Sequence, residues 1–515
     1  MRYSVPIFAL LVTCGLVCGP TCGVRSASAQ ANPNPPTPTA KAEPGAEQNP
    51  APPVDPNQPL VVTLTLSAAG EPVPALKYEL LPRASERKPG NAATNYYRAV
   101  VALRSIPDDV AKDESKWFAE FGDDAYRKVP RERLQRWIAA HERALAEMRQ
   151  ATYRESCDWG LRMQDLRGMD TVSFLIEEFQ QLRWIIRPLN MKTRVAIEQG
   201  RYDDAYDLLR TQYQAARDVS LQPNIICGLV GIAFSHQANE RIEQWIGSPG
   251  SPNLYWALVA LPRPLVSLRE GLDQERSLPE RLLPFLADAE TTHRSKEEWQ
   301  RLLVDAVRQM AQLNSYGEAP MPGLAAEAVV LGMMSRGYPI AKRELLATGF
   351  DAARLEAMPV GQVVAIHLAR SVRANYDSQV KGYYLPYDQA VVWSQRASVR
   401  ANTNPLQVPG AVAEESLPIS RVLLPALDAV LRAEIRNERS FRALQAIEAI
   451  RLHMTVSGGR LPKTLDEIEV VPVPRNPATQ QPFPYRLEGD GAVLEVPTVA
   501  GEPGASGRKY LIRTR

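Results

Sequence analysis

His236 and Glu240 stand one helical turn apart, a spacing that lets an imidazole and a carboxylate share a metal ion. No third ligand follows at a regular interval, and H-E-x-x-H is absent, so the pair is a weak candidate for a metal site. The stronger expectation is a core histidine bonded to a neighbour. His141 also falls on an apolar helical face, while His293, His367 and His453 each stand alone. Cys157 and Cys227 are the two cysteines outside the N-terminal region. In an oxidising compartment they are candidates for a disulfide worth roughly 4 kcal/mol of chain entropy. The alternative is two buried thiols acting as small apolar residues. Glu177-Glu178 and Asp203-Asp204 are acidic pairs of the kind glycoside hydrolysis uses, although Glu177 and Glu178 fall on the polar side of a helix. Tyr255-Trp256 offers aromatic area for a sugar groove, but aromatics of this size more often fill a core.

Other chemistries are poorly supported. Ser85-Glu-Arg-Lys88 has the S-x-x-K spacing of penicillin-recognising enzymes, yet its partners S-D-N and K-T-G are missing. The chain contains no G-x-S-x-G, no G-x-x-x-x-G-K-[ST] and no G-x-G-x-x-G. No C-x-x-C occurs beyond the N-terminal region. No cofactor is implied.

The N-terminus predicts export. Arg2 provides a basic start, Val5 to Val17 is a short apolar run, and Ala27-Ser28-Ala29 has the small-x-small pattern of a cleavage site. The run is shorter than the roughly 20 apolar residues that span a bilayer. Leu11-Val12-Thr13-Cys14 loosely resembles a lipobox, which leaves lipoprotein anchoring as a minor option. A periplasmic or extracellular location is expected. The longest later apolar stretch, Ile225 to Phe234, is about half a membrane span. The leader removes Arg2 and Arg25 from 60 basic residues that face 58 acidic ones. A formally neutral mature chain has no global field to draw it to nucleic acid.

Five segments follow from composition: a leader over 1–29, a proline-rich linker over 30–59, a helical body over 60–435, a terminal helix with a hairpin over 436–500, and a tail over 501–515. Ten of the residues from Pro33 to Pro59 are proline, which favours an extended spacer. Val61 to Leu66 and Ala75 to Leu81 read as two strands of a small N-terminal β-hairpin. Asn91 can cap a following helix. Leu134, Trp137, Ile138, His141, Leu145 and Met148 form one helical face. Leu175, Phe179, Leu182 and Ile186 form another, ended by Pro188. Ile225, Leu229, Ile232 and His236 form a third, with Gly247 as its C-cap glycine. Short breakers between such units imply antiparallel helical hairpins, in a bundle or short α-solenoid.

Three resemblances qualify this reading. Ala196-Ile-Glu-Gln-Gly200-Arg-Tyr202-Asp-Asp-Ala205 resembles the middle of a tetratricopeptide repeat, which implies one helical hairpin over about 196–216. From Phe441 to Val496 a helix, Gly458-Gly459, Leu461-Pro462, Thr464 and Glu467 at capping-box spacing, a proline-marked loop and a hairpin turn at Glu488-Gly-Asp-Gly491 occur in order. That order resembles the body of type II secretion pseudopilins, without the apolar helix that precedes it there. Some pseudopilins bind calcium in this sheet; Asp466, Asn476 and Asp490 are oxygen donors here without a fixed ligand spacing. Lys88-Pro-Gly-Asn-Ala-Ala-Thr-Asn-Tyr-Tyr-Arg-Ala99, Gly250-Ser-Pro-Asn-Leu-Tyr-Trp-Ala-Leu258 and Leu261-Pro-Arg-Pro264 make the chain from about residue 75 similar to a family of uncharacterised exported proteins of planctomycete-type bacteria. That resemblance implies an exported helical protein and brings no activity. The expectation is a mainly α protein with small β-hairpins at both ends, acting as a protein-binding or structural module with another envelope or secreted protein as partner. An exported hydrolase, its site assembled from several helices, is the alternative.

Overall fold

A computed structural model describes residues 57–121, 128–222, 224–314, 321–402, 427–499 and 502–515. The expected leader, its lipobox and most of the proline-rich spacer lie outside these residues, as do the side chains of Leu175, Glu177, Glu178, Phe179 and Leu182. The protein is mainly helical, with small sheets built from segments near both ends. In chain order the elements are β1 (Leu60–Leu66), β2 (Lys88–Asn91), α1 (Ala92–Leu103), α2 (Asp108–Phe121), α3 (Arg131–Thr152), β3 (Arg154–Ser156), α4 (Asp170–Glu198), α5 (Tyr202–Ser220), α6 (Ile225–Gly247), α7 (Tyr255–Val259), α8 (Arg269–Glu275), α9 (Leu278–Leu282), α10 (Lys296–Asn314), α11 (Gly323–Ala347), α12 (Ala352–Glu356), α13 (Val360–Val380), α14 (Tyr387–Asn402), α15 (Leu427–Val456), β4 (Tyr485–Glu488), β5 (Gly491–Val496) and β6 (Arg508–Thr514). Among the described residues no helix is long and apolar enough to cross a membrane.

The helices follow the apolar period. On α3, Leu134, Trp137, His141, Leu145 and Met148 are buried together. The Asn91 side chain accepts from Ala93 N–H at 3.0 Å and so caps α1. It also accepts from Asp158 N–H and donates to the Asp158 carbonyl, which ties the segment after β3 to the start of α1. Between α4 and α5 the chain reverses at Gly200, φ +69°. The Arg201 N–H reaches the Ala196 carbonyl and the Gly200 N–H reaches Ile197, both at 2.9 Å. This closes α4 with the six-to-one and five-to-two bonds that a left-handed glycine permits.

Two cores result. The larger joins α1, α3 to α7 and α15 to the inner face of the four-stranded sheet. The second gathers α10, α11 and α13 around Trp299, Leu303, Val363 and Ile366. The first core turns on α15. Here Glu448 and Arg451 are almost completely buried and bonded at 3.0 Å. Glu448 also accepts from Leu254 N–H at 3.0 Å and Asn253 Nδ2 at 2.8 Å, while Arg451 holds the Ser251 carbonyl at 2.7 Å. Further along α15, Glu438 accepts from Leu265 N–H and Glu434 from Leu268 N–H. The Gly250–Leu258 and Leu261–Pro264 phrases are thus held by buried carboxylates of one helix.

Several expectations are corrected. Residues 61–66 and 75–81 do not form the expected β-hairpin. Ala75 to Leu81 is not a strand, because the Tyr206 hydroxyl both donates to the Glu79 carbonyl and accepts from its N–H, satisfying that backbone without a ladder. β1 instead pairs in parallel with β6, so residues expected to form a tail supply an inner strand of the sheet. The order is β1-β6-β5-β4, and the expected C-terminal hairpin β4–β5 forms its other half. Lys88 to Asn91, expected only as a break, pairs with Arg154 to Ser156 as a second, two-stranded sheet. Pro188 does not end a helix. α4 runs through it, and the nearly complete burial of Ile185, Ile186 and Leu189 outweighs a lost backbone bond and ring clash of about 3 kcal/mol. Gly247 is the last helical residue of α6, and the left-handed turn falls on Gly250, φ +68°. Thr464 makes no side-chain cap; Glu467 accepts from Lys463 N–H instead.

Arg451→Met would leave the Glu448 carboxylate buried without its cation. The expected loss is about 3–5 kcal/mol, read from the urea midpoint, with part of it recovered in Arg451→Met/Glu448→Gln.

Candidate binding cleft

A cleft of about 1000 Å³ opens between β1 and the ends of three helices. That is the upper end of the range usual for ligand sites, about 300–1,000 Å³. One wall is β1 from Leu60 to Thr65. The facing wall is mixed: Ile138 of α3 and Val195 of α4 give it two partly exposed apolar side chains, among Arg131, Gln135, Glu198 and Gln199. Glu240, Glu243 and Gly247 of α6, with Arg508 of β6, close it further.

The register of β1 determines what this wall offers. Leu60 N–H donates to the Gly507 carbonyl at 3.0 Å, and the Leu66 carbonyl accepts from Arg515 N–H at 3.1 Å. In a parallel ladder, alternate residues direct both main-chain groups to the same neighbour. Leu60, Val62, Leu64 and Leu66 therefore face β6. Val61, Thr63 and Thr65 direct their N–H and C=O groups to the opposite edge, where no described residue pairs with them. The edge carries no Lys, no Pro and no bulge, the usual protections of a free strand. Leu60 and Val61 are 38% and 54% exposed. The other edge of the sheet, β4, is short and carries Arg486 and Glu488, a protected edge by the same criterion.

The charged cluster at the cleft includes the pair singled out by sequence. His236 and Glu240 do lie one turn apart on α6, with Nε2 and Oε1 3.9 Å apart. Between them comes Arg508, whose guanidinium donates to His236 Nε2 at 3.2 Å and to Glu243 Oε1 at 2.7 Å. The Tyr510 hydroxyl donates to the same Glu243 oxygen at 2.7 Å. The imidazole lone pair that would bind a metal accepts an arginine N–H instead. Packing of the ring, and then the Arg508 and Arg436 cations, hold His236 below its ordinary pKa. With 41% of the side chain exposed, the cations are the part of that account the geometry carries. Burial raises the Glu243 pKa, against the pull of Arg508. Among the described residues no group of three or more His, Cys, Asp or Glu is placed to hold a metal ion.

The other candidates lie apart from the cleft. Cys157 and Cys227 are both free thiols, so the candidate bridge is not made and the alternative of two separate thiols holds, Cys227 buried and Cys157 partly so. Burial raises both thiol pKa values, which makes them poor nucleophiles. Ser85 lies in a one-turn helix and Lys88 in β2, with no side-chain bond between them. Asp203 pairs with Lys77 at 3.1 Å and Asp204 with Arg201, as surface ion pairs. Tyr255 is buried with its hydroxyl on the Pro472 carbonyl, and Trp256 Nε1 donates to Glu71. His141 Nδ1 bonds the Trp137 carbonyl at 2.8 Å, as a core histidine. Asn476 is buried and accepts from Ala478 N–H, a turn role rather than a calcium ligand. Sequence reasoning missed one constellation: Ser371 Oγ stands 3.4 Å from His367 Nε2, and His367 Nδ1 3.8 Å from Glu344. The order is that of a hydrolytic triad, but both contacts are long for a working hydrogen bond, and His367 is buried within the second core's helices.

Comparison of the chain with family models, curated proteins and solved structures finds no match.

Buried carboxylates make stability depend on pH, Asp218 and Glu275 among them. Burial pushes Asp218, bonded to Tyr96 and Gln214, up to about 6, and Glu275, bonded to Ile225 N–H, up to about 8. A raised folded-state pKa contributes stability that is full below the unfolded value and lost as pH rises through the folded one. The melting temperature should therefore fall between about pH 4 and pH 8, through both acids up to about pH 6 and through Glu275 above it. In Glu275→Gln the later part of that fall should disappear, as a calorimetric pH series would show.

Proposed function

We propose that this protein is an exported helical module of the cell envelope that binds another protein, with the cleft beside β1 as its recognition site. One observation carries the reading: a large open cleft has a free strand edge and a mixed apolar and polar wall, while two of its carboxylates, Glu198 and Glu243, are already held by Arg194 and Arg508. Such a surface suits a polypeptide better than bond-breaking chemistry, which needs a nucleophile and base aimed into a pocket. Export is supported by the N-terminal pattern and by the proline-rich spacer, which would set the body at a distance from its anchor or from neighbouring chains. The α4–α5 hairpin is the tetratricopeptide-like unit, and as a single unit it contributes packing. The partner is another envelope or secreted protein.

Capture of envelope extract on the full chain should give a stoichiometric partner, lost when Ile138→Glu places a charge on the wall facing β1. Recovery of free monomer alone would count against the reading. The hydrolase alternative rests on Ser371, His367 and Glu344. A fluorophosphonate probe should leave Ser371 unlabelled; labelling lost in His367→Ala would favour the enzyme.

A further inference from the structure

The protein-binding reading leaves open how a partner is held. We infer that the cleft takes an extended peptide segment of another protein, which adds to the sheet as a fifth strand along β1. The inference rests on that reading and makes it specific.

Three observations meet at one edge. Val61, Thr63 and Thr65 present three N–H donors and three C=O acceptors away from β6, with no partner among the described residues. Main-chain groups of this kind are complemented best by another main chain, because only a backbone supplies donors and acceptors at the strand period. The cleft runs beside the edge from Leu60 to Thr65, a length of about 20 Å that accepts roughly six extended residues. Across it, Ile138 and Val195 offer apolar contact to one face of such a segment. The segment would therefore be free of proline where its N–H groups meet the edge, and apolar at every second position. Two flat copies of β1 fit the site less well, since the helical wall that serves a single strand stands in the path of a second folded body.

The register gives a clean variant. The Thr63 N–H is not part of the β1–β6 ladder, so Thr63→Pro removes an outward donor and leaves the fold in place. Random linear peptides displayed on phage would be selected on the full chain. Enriched peptides should carry a proline-free stretch with alternate apolar residues. Their affinity should fall about tenfold or more in Thr63→Pro, with unchanged circular dichroism and melting temperature. A second measurement needs only the unaltered chain: N-methylation of alternate residues in an enriched peptide should abolish binding in one phase and be tolerated in the other. Equal binding to Thr63→Pro, or tolerance of methylation in both phases, overturns strand addition and leaves protein binding standing. Strand addition also falls, and protein binding again stands, if no peptide enriches while envelope extract still yields a stoichiometric partner. Absence of both overturns the two readings together. Self-association removed by Thr63→Pro would make the occupant a second copy and overturn the assignment to another protein.

Discussion

The parallel pairing of β1 with β6 is the constraint on which the architecture turns. It joins residues 60–66 to residues 508–514, so the two ends of the described chain close on one sheet. β6 then carries Arg508 and Tyr510 onto Glu243 of α6, which seats the sheet against the helical body. Because parallel strands bond through alternate residues, the same pairing determines which half of β1 is satisfied and which half faces the cleft. The candidate site is a by-product of that alternation and of the helix ends that stop short of the strand.

The second organising feature is the distribution of acids along α15. Glu434, Glu438 and Glu448 recur on one helix and accept N–H groups of a connecting segment that has little regular structure of its own. Outside the short helix α7, a segment with prolines at 252, 262 and 264 cannot satisfy its backbone by helix or ladder, and buried carboxylates accept N–H groups there instead. Burial raises the pKa of all three, so the arrangement depends on Arg451, Arg263 and the donated N–H groups. These acids act as clamps on the connecting segment.

Helical faces were legible because each is a local repeat. Leu134 to Met148 and the Gly200 reversal needed no distant information. Asn91 announced its cap for the same reason. Pro188 misled because its local penalty is real but smaller than the burial of its neighbours. The strand Val61 to Leu66 was visible as a strand, yet its partner lies almost the whole chain away, and a parallel pairing leaves no turn to read. The spacing of His236 and Glu240 was read correctly, but their chemistry depends on Arg508, which no local pattern connects to them. An edge strand and an inner strand of like composition read alike in sequence, so the cleft was illegible for a topological reason. Ser371, His367 and Glu344 were missed because Glu344 belongs to a different helix.

The parallel ladder also bears on how the molecule would respond to force. The chain enters β1 at Leu60, directly after the proline-rich stretch, and runs alongside β6 in the same direction. Tension arriving from that side pulls along the strand axis, so the bonds from Leu60 to Leu66 are loaded side by side and do not peel away in turn. A body suspended by its N-terminal stretch would hang from the strongest loading geometry a sheet provides.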